Sequence, residues 1–299
     1  MNVLSPCAKL LGREHITTTN DDESIKYKYQ MLNEFTHSGI EGNMKNTAIV
    51  QGGYVAAALE DAAMNGLAEN NTFLNAKVYE AKVTYLLPAR PISLICEVIL
   101  RRIGGTVGYV EVLAMQKNNT IATASFTITI KRKETTNVNQ FTLNSIKPLP
   151  LPRSRNTTDV LQVMKDNENR GTNTLLRDFL GTNMIDIDLV DGIQWMEANC
   201  SNKGCDDTGY LQGGFISAMM DSAMAGLFMC FRRNISTNAP TLEMQTHYFH
   251  PVQSETTCLM ISKIIDVNNQ TAFLEVELYQ NDILCAKAGS TIILTYPKL

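Results

Sequence analysis

The strongest constraint on the fold is an internal repeat. The segment QGGYVAAALE at residues 51–60 aligns without a gap with QGGFISAMMD at residues 212–221, at a constant offset of 161. The correspondence continues downstream, where residues 80–88 match residues 243–251 at an offset of 163. Because the order and the spacing of the matching segments are both kept, we interpret the chain as two divergent copies of one structural unit.

Each copy has the same predicted secondary structure. A stretch rich in Ala and Met and free of Pro follows each Gly-Gly pair, at residues 54–68 and 215–231, and predicts a buried helix of about four turns. Segments rich in Val, Ile, Thr and Tyr come next, separated by turn residues, and predict an antiparallel sheet. This order indicates the α+β class, with a helix packed on a sheet in each half. In the first copy the predicted strands are residues 77–87, 92–103, 107–116 and 121–131.

The segment between the two copies is predicted to be a linker. Residues 134–159 contain Pro148, Pro150 and Pro152 among Asn, Thr and Ser, a composition that favours an extended connector. The predicted organisation is therefore a first domain at residues 1–133, a linker at residues 134–159 and a second domain at residues 160–299.

Charge and composition narrow the function classes. The net charge of −4 gives no general attraction to nucleic acid or to an anionic membrane. No apolar run approaches the roughly 20 residues of a membrane span, and residues 1–9 lack the apolar core of a signal peptide. Seven scattered cysteines indicate reduced thiols, and although Cys200 and Cys205 could begin a zinc site, no second ligand pair follows. We expect a cytoplasmic protein with no metal site and no nucleic-acid or membrane partner.

Three motifs in each copy carry a resemblance to a known family. They are the Gly-Gly turn, a carboxylate eight residues after the first glycine (Glu60 and Asp221), and a strand ending in Tyr-x-x-Pro (Tyr85 and Tyr248). In this order they resemble the hotdog-fold acyl-CoA thioesterase superfamily, particularly its phenylacetate-pathway and hydroxybenzoyl-CoA types. The resemblance covers nearly the whole chain. It implies two tandem hotdog domains, each a long central helix wrapped by an antiparallel sheet, packed as an internal pseudo-dimer.

The Gly-Gly helix has the groups that thioester hydrolysis requires. A helix that begins at Gly52 or Gly213 presents unpaired N–H groups, and glycine lets a ligand approach the backbone closely. Such an amide can stabilise the oxyanion by on the order of 3 kcal/mol. Glu60 lies about 12 Å along the helix from Gly52, so the acid must come from the other copy. If the two helices pack antiparallel, as in hotdog dimers, Asp221 faces Gly52 and Glu60 faces Gly213.

The resemblance makes these two composite sites unequal. In the family, a hydroxyl residue seven positions before the Tyr of Tyr-x-x-Pro helps to position water. That position is Thr241 in the second copy but Val78 in the first. The predicted catalytic site therefore combines Asp221, Thr241 and Gly52, and the site of Glu60 is expected to be weaker or silent.

Two further positions bear on the mechanism. The family often has an Asn shortly before its Gly-Gly pair, and Asn46 and Asp207 are the nearest matches. Many relatives have His directly before Gly-Gly, whereas this chain has Gln51 and Gln212. Glutamine can hold a carbonyl oxygen but does not titrate near neutral pH, so the carboxylate must be the base. Carboxylate-activated water is the preferred route, and an acyl-enzyme stays open.

A coenzyme A thioester carries phosphates, so basic residues are expected near the site. Arg101 and Arg102 precede Gly104-Gly105, and Lys263 has a similar place in the second copy. Similar proteins often contact the nucleotide at this turn, which makes these three residues the candidates for binding coenzyme A. Solvated surface charge is the alternative. Coenzyme A enters as part of the substrate, and no other cofactor is expected.

The predicted function is an acyl-CoA thioester hydrolase. The alternative is a non-catalytic double hotdog protein that binds an acyl-CoA or fatty acyl group. Loss of His from both copies favours binding, and retention of both acids favours the enzyme. A hotdog dehydratase would need a catalytic His, and we interpret His247 and His250 as residues at the end of a strand. The sequence leaves open the acyl chain, the carrier of the thioester and whether the double unit forms a homo-oligomer.

Overall fold

The computed structural model describes residues 5–16, 25–30, 36–37, 49–69, 76–130, 180–199, 201–231 and 240–294. The predicted linker and Asn46 lie outside these residues. The helices are α1 (Pro6–Leu10), α2 (Gly52–Glu69) and α3 (Gly213–Phe231), with a 3-10 turn at Asn202–Gly204. The strands are β1 (Glu14–Ile16), β2 (Ile25–Gln30), β3 (Thr36–His37), β4 (Ile49–Val50), β5 (Ala76–Tyr85), β6 (Ser93–Ile103), β7 (Val107–Gln116), β8 (Asn119–Ile130), β9 (Thr182–Asp188), β10 (Ile193–Asn199), β11 (Thr241–Tyr248), β12 (Thr257–Val267), β13 (Thr271–Gln280) and β14 (Ile283–Ile293).

Twelve of these strands form one antiparallel sheet. Their order is β1-β2-β6-β7-β8-β5-β11-β14-β13-β12-β10-β9, and β3 pairs separately with β4. The central pair is β5 with β11, from Glu80 opposite His247 to Thr84 opposite Glu243. Outward from this seam, each half places its strands in the same relative order. The sheet is therefore continuous across the two copies of the sequence repeat.

The elements after each Gly-Gly pair lie where the sequence predicts them, within two residues at most ends. The strands β1, β2, β9 and β10 were not predicted. A period-two signal was present in β2, because Ile-Lys-Tyr-Lys-Tyr alternates and Tyr27 and Tyr29 are both buried. These additional strands extend each half of the sheet outward from the strands that follow the helix.

The two long helices pack against each other through their first turns. A Cβ atom added at Gly53 would lie 2.2 Å from the Cα of Ala218, and one added at Gly214 would lie 2.3 Å from the Cα of Ala57. The second glycine of each pair is therefore required by close helix contact. The two contacts are equivalent, because the second glycine of each helix meets an alanine in the first turns of the other. The two helices are therefore antiparallel, and their N-terminal halves are in contact.

Helix α3 is a longer apolar segment than we expected, since no run near the length of a membrane span was predicted from the sequence. Among the described helices it is the one that is long and apolar enough to cross a membrane. However, 72% of the apolar segment of this helix is buried inside the protein. Its Met, Phe and Leu side chains pack into the main core together with the Ala-rich face of α2. The apolar composition of α3 is thus that of a core helix.

Candidate functional site

At one end of the helix pair, Asp221 of α3 contacts the residue that precedes α2. The Gln51 Nε2 atom donates a hydrogen bond to Asp221 Oδ2 at 3.3 Å, while Gln51 Oε1 accepts one from the Tyr54 amide at 3.1 Å. The hydroxyl of Thr241 donates to Asp221 Oδ1 at 2.7 Å. The structure thus brings Asp221, Gln51 and Thr241 together, and only 7% of Asp221 is exposed.

The environment of Asp221 suits a base near neutral pH. Burial raises its pKa to about 6, and the hydrogen bond from Thr241 opposes that rise. At pH 7 the carboxyl group is therefore mostly ionised, yet its pKa is close enough to the working pH for efficient proton transfer.

The tyrosine of each Tyr-x-x-Pro motif packs on the N-terminus of its own helix. Tyr85 donates a hydrogen bond to the Gly52 carbonyl at 3.1 Å, and Tyr248 donates to the Gly213 carbonyl at 3.0 Å. A Cβ atom at Gly52 would lie 3.2 Å from the Tyr85 ring. The motif therefore has a structural role in each half, since it fixes the first turn that carries the candidate oxyanion donor.

The two central strands, β5 and β11, each have a register shift next to the residue that distinguishes the two sites. The pairing of β5 with β8 shifts register between Val78 and Glu80, and that of β11 with β14 shifts between Thr241 and Glu243. Such bulges often redirect a side chain near a functional site. Thr241 reaches Asp221, whereas Val78 lines the cavity at the opposite end of the helix pair.

At that opposite end, Glu60 of α2 faces the first residue of α3. A Cβ atom at Gly213 would lie 2.6 and 2.7 Å from the two carboxyl oxygens of Glu60. Burial, with smaller contributions from Asp61 and Asp206, raises the Glu60 pKa to about 8, although the Gly213 amide and the Tyr248 hydroxyl lower it. The Oε2 atom is buried and has no hydrogen-bond partner. Unlike Asp221, this acid is mostly protonated at pH 7.

A cavity of about 640 Å³ opens beside Glu60. Its lining includes the exposed residues Lys77 and Asp207 as well as the buried Glu60, so it connects solvent with the carboxyl group. The positively charged Lys77 and Arg13 and the acids Glu60, Asp61, Asp206 and Asp207 are among its described lining residues. The charged groups near this carboxyl group are thus predominantly acidic.

The N-terminal segment contributes Cys7 and Arg13 to the lining of this cavity, and neither was among the predicted site residues. The Cys7 thiol donates a hydrogen bond to Gln212 Oε1, and burial raises the pKa of this thiol. Arg13 Nη1 lies 3.2 Å from Asp61 Oδ2, and Tyr29 donates to the same oxygen at 2.9 Å. No local pattern pointed to these residues, because each meets its partner across a long stretch of sequence.

The remaining predicted site residues lie elsewhere or outside the described residues. Asn46 belongs to the latter group. Arg101 and Arg102 lie within β6 and Lys263 within β12, all exposed on strands rather than in the turn where the sequence placed them. Arg101 Nε donates to Glu111 at 2.7 Å, and the register of β6 shifts at this position. None of these three cations lines the cavity at Glu60.

The structure also shows where the histidines and the candidate metal ligands lie. His247 lies in β11 opposite Glu80 of β5, and His250 lies just beyond the end of β11 on the edge of the cavity. In the part of the chain that the structure describes, no group of three or more His, Cys, Asp or Glu side chains is arranged to hold a metal ion. Cys200 lies outside that part.

Comparison with protein families matches both halves of the chain. The family described as "Acyl-CoA thioesterase N-terminal domain" matches residues 40–129, and the "Thioesterase superfamily" matches residues 208–287. The chain belongs to the hotdog-fold thioesterase superfamily. Each matched segment contains the Gly-Gly pair that begins its long helix, the carboxylate eight residues after the first glycine, and one Tyr-x-x-Pro motif. Comparison with curated protein sequences gave no match.

Solved structures of thioesterases resemble nearly the whole chain. The tesB protein of Mycobacterium avium subsp. paratuberculosis has a TM-score of 0.69 at 11% identity and covers 97% of this chain and 98% of its own. The acyl-CoA thioesterase II TesB2 of Mycobacterium marinum has a TM-score of 0.62 at 10% identity, covering 98% and 99%. A hotdog-fold protein of Alicyclobacillus acidocaldarius has a TM-score of 0.60 at 13% identity, covering 94% and 96%. At these identities the likeness shows the fold.

Proposed function

We propose that this protein is an acyl-CoA thioester hydrolase whose active site lies between two tandem hotdog units packed as an internal pseudo-dimer. The observation that carries the proposal is the contact of Gln51 with Asp221, at 3.3 Å between the two halves, while Thr241 binds the other carboxylate oxygen. An acid of the second half thereby lies at the N-terminus of the first half's helix. The units are residues 1–133 and 160–299, joined by the linker at residues 134–159.

In the proposed reaction, ionised Asp221 takes a proton from a water molecule that Thr241 helps to position. The water oxygen bonds to the thioester carbonyl carbon, and the Gly52 amide stabilises the charge that develops on the carbonyl oxygen. The carbon–sulfur bond then breaks, and the departing sulfur takes the proton from Asp221. The products are a carboxylic acid and free coenzyme A, and Gln51 holds Asp221 in place without titrating.

The proposal also covers the substrate, the cellular location and the oligomeric state. Arg101, Arg102 and Lys263 remain our candidates for the phosphates of coenzyme A, because they are exposed cations on the strands β6 and β12. No cofactor is required by the proposed reaction. We expect the protein to act in the cytoplasm on a small-molecule acyl-CoA, without nucleic acid or membrane partners, and to associate into a homo-oligomer of the double unit.

The alternative is a non-catalytic protein that binds acyl-CoA or a fatty acyl group. It is favoured by Gln51 and Gln212, which replace a titratable histidine before both helices. A panel of acyl-CoA esters with a thiol reagent separates the two functions. Hydrolysis by the wild type that is lost in Asp221→Asn, but kept in Glu197→Gln on the exposed surface of β10, supports the enzyme. A raised melting temperature without hydrolysis of any ester supports the binding protein.

A further inference from the structure

A chain of hydroxyl groups leads from the wall of the Glu60 cavity into the core. The Tyr248 hydroxyl lies 2.8 Å from Ser217 Oγ, which lies 3.1 Å from Thr246 Oγ1. Ser217 and Thr246 are buried, whereas Tyr248 lines the cavity beside Glu60. Tyr248 donates its one proton to the Gly213 carbonyl, so with Ser217 as the donor the second lone pair of the Tyr248 oxygen is left to accept a hydrogen bond from a water molecule in the cavity. The hydroxyl that Val78 lacks is thus supplied here by Tyr248.

This chain has no counterpart in the first copy. The positions equivalent to Ser217 and Thr246 are Ala56 and Val83, which are buried and apolar, so Tyr85 has no such hydroxyl behind it. Packing alone does not require two buried hydroxyls at this place, since the first half packs with Ala and Val. The polar residues therefore point to a use that is specific to the Glu60 end.

The Glu60 carboxyl group itself points to a ligand. It is 4% exposed, its Oε2 atom has no hydrogen-bond partner, and it lines a cavity of about 640 Å³. Leaving a buried polar atom unpaired costs about 1–3 kcal/mol, a cost that a bound polar group would remove. The cavity has the volume of an ordinary small-molecule site.

We infer that the Glu60 cavity is a second acyl-thioester centre, with Tyr248 in the role that Thr241 has beside Asp221. The inference rests on the proposed function, because it assigns the same reaction to the opposite end of the helix pair. When substrate binds, the Gly213 amide would donate to the thioester carbonyl oxygen in place of Glu60, and Glu60 would take a proton from water. The water oxygen bonds to the carbonyl carbon, the carbon–sulfur bond breaks, and the sulfur leaves with the proton from Glu60.

The two centres would operate in different pH ranges. Burial raises the Glu60 pKa to about 8, and the acids Asp61 and Asp206 add to that rise. The Gly213 amide and the Tyr248 hydroxyl oppose it. A base must be ionised, so the Glu60 centre gains activity as the pH rises to about 8, where Asp221 is already fully ionised. The other charged or titratable described residues that line this cavity are Cys7, Arg13, Lys77, Tyr79, Asp207, Tyr210 and His250.

The test uses the full chain with Asp221→Asn, which removes the neutral-pH base. Hydrolysis of an acyl-CoA panel is followed by loss of thioester absorbance from about pH 6.5 to about pH 9.5, after subtraction of the uncatalysed rate. We expect a residual activity that rises about tenfold per pH unit and levels off near pH 8, and that disappears in Asp221→Asn/Glu60→Gln. An Asp221→Asn activity that is absent, independent of pH or unchanged by Glu60→Gln overturns the inference.

A second variant distinguishes a chemical role of Tyr248 from a structural one. Because its hydroxyl lowers the Glu60 pKa, Tyr248→Phe in the Asp221→Asn background should move the inflection above pH 8 and reduce the plateau. An inflection that does not move contradicts the role given to Tyr248. If the wild type hydrolyses no ester at any pH, the proposed function fails as well. If it is active near pH 7 while Asp221→Asn gains nothing at alkaline pH, the second centre alone fails.

Discussion

The Gln51 side chain joins Asp221 to the helix of the other half, with its Nε2 atom 3.3 Å from Asp221 Oδ2. Its Oε1 atom accepts the Tyr54 amide, so the orientation of the side-chain amide is fixed from its own helix. A glutamine has no charge, and the pKa of Asp221 therefore depends on burial and on Thr241. The residue before the Gly-Gly pair of the first half is thus an uncharged contact of the proposed base.

Removing the proposed base should abolish most activity at neutral pH. Asp221→Asn keeps the size of the side chain but cannot accept the water proton, so we expect kcat/KM at pH 7 to fall by about 10²–10⁴-fold. Glu60→Gln should lower it much less, because Glu60 is mostly protonated at this pH. Steady-state rates with one acyl-CoA ester measure both. Equal losses would contradict our assignment and indicate two centres that work equally at neutral pH.

The rate of the wild type should depend on the ionisation of Asp221. Burial raises its pKa to about 6, so the active form is lost as the pH falls through that value. We expect kcat/KM to be level near pH 7 and to fall about tenfold per unit well below pH 6. A profile of kcat/KM from pH 7.5 downward, in a range where the protein stays folded, tests this. A rate that stays constant to about pH 4.5 would exclude a base with this pKa.

Thr241 should affect both the rate and its pH dependence. Its hydroxyl donates to Asp221 at 2.7 Å and lowers the pKa of that acid. Thr241→Val removes the hydrogen bond while keeping the shape, so the inflection in kcat/KM should move to higher pH and the plateau should fall. Thr241→Ser restores the hydroxyl and should recover most of the activity. If Val and Ser variants behave alike, Thr241 has only a packing role.

Glu60 should make the protein less stable as the pH rises. Its pKa is raised from 4.5 to about 8, so the folded state holds a proton that the unfolded state has lost between these values. The associated stability is fully present below pH 4.5 and is lost as the pH rises through about 8. Glu60→Gln cannot ionise, so its melting temperature should gain on the wild type between pH 5 and pH 8. A constant difference between the two proteins would show that Glu60 is not buried as a neutral acid.

The helix contact at Gly53 should tolerate no side chain. The Cβ of Gly53→Ala would lie 2.2 Å from the Ala218 Cα, so the helices must separate, at a cost of about 3 kcal/mol in the free energy of unfolding. Gly226→Ala is the matched control, since its Cβ would meet only the Gln194 side chain at 3.7 Å. That change should be neutral or stabilise α3 by roughly 0.5–1 kcal/mol. Urea denaturation measures the free energy of unfolding of both variants. Similar values for the two would contradict the close helix contact at Gly53.

Much of the architecture could be read from local sequence patterns. The offset of 161 between the two Gly-Gly segments predicted matching helices, and both helices begin at the first glycine of their pair. The family resemblance also gave the groups to look for at each helix end. The patterns could not show how far Arg101, Arg102 and Lys263 lie from either helix end, because that depends on how β6 and β12 pair in the sheet.

The sequence by itself determined the repeat, the two core helices and an acid at the same position of each, Glu60 and Asp221, since periodicity and spacing are local properties of a chain. The tertiary structure decided how those two acids differ. Asp221 accepts a hydrogen bond from the Thr241 hydroxyl of β11, and its pKa is about 6. Glu60 lies beside an open cavity that further acids line, and its own pKa is about 8. Burial and electrostatic neighbours come from residues distant in the chain, such as Cys7 beside Gln212, and no local pattern encodes them.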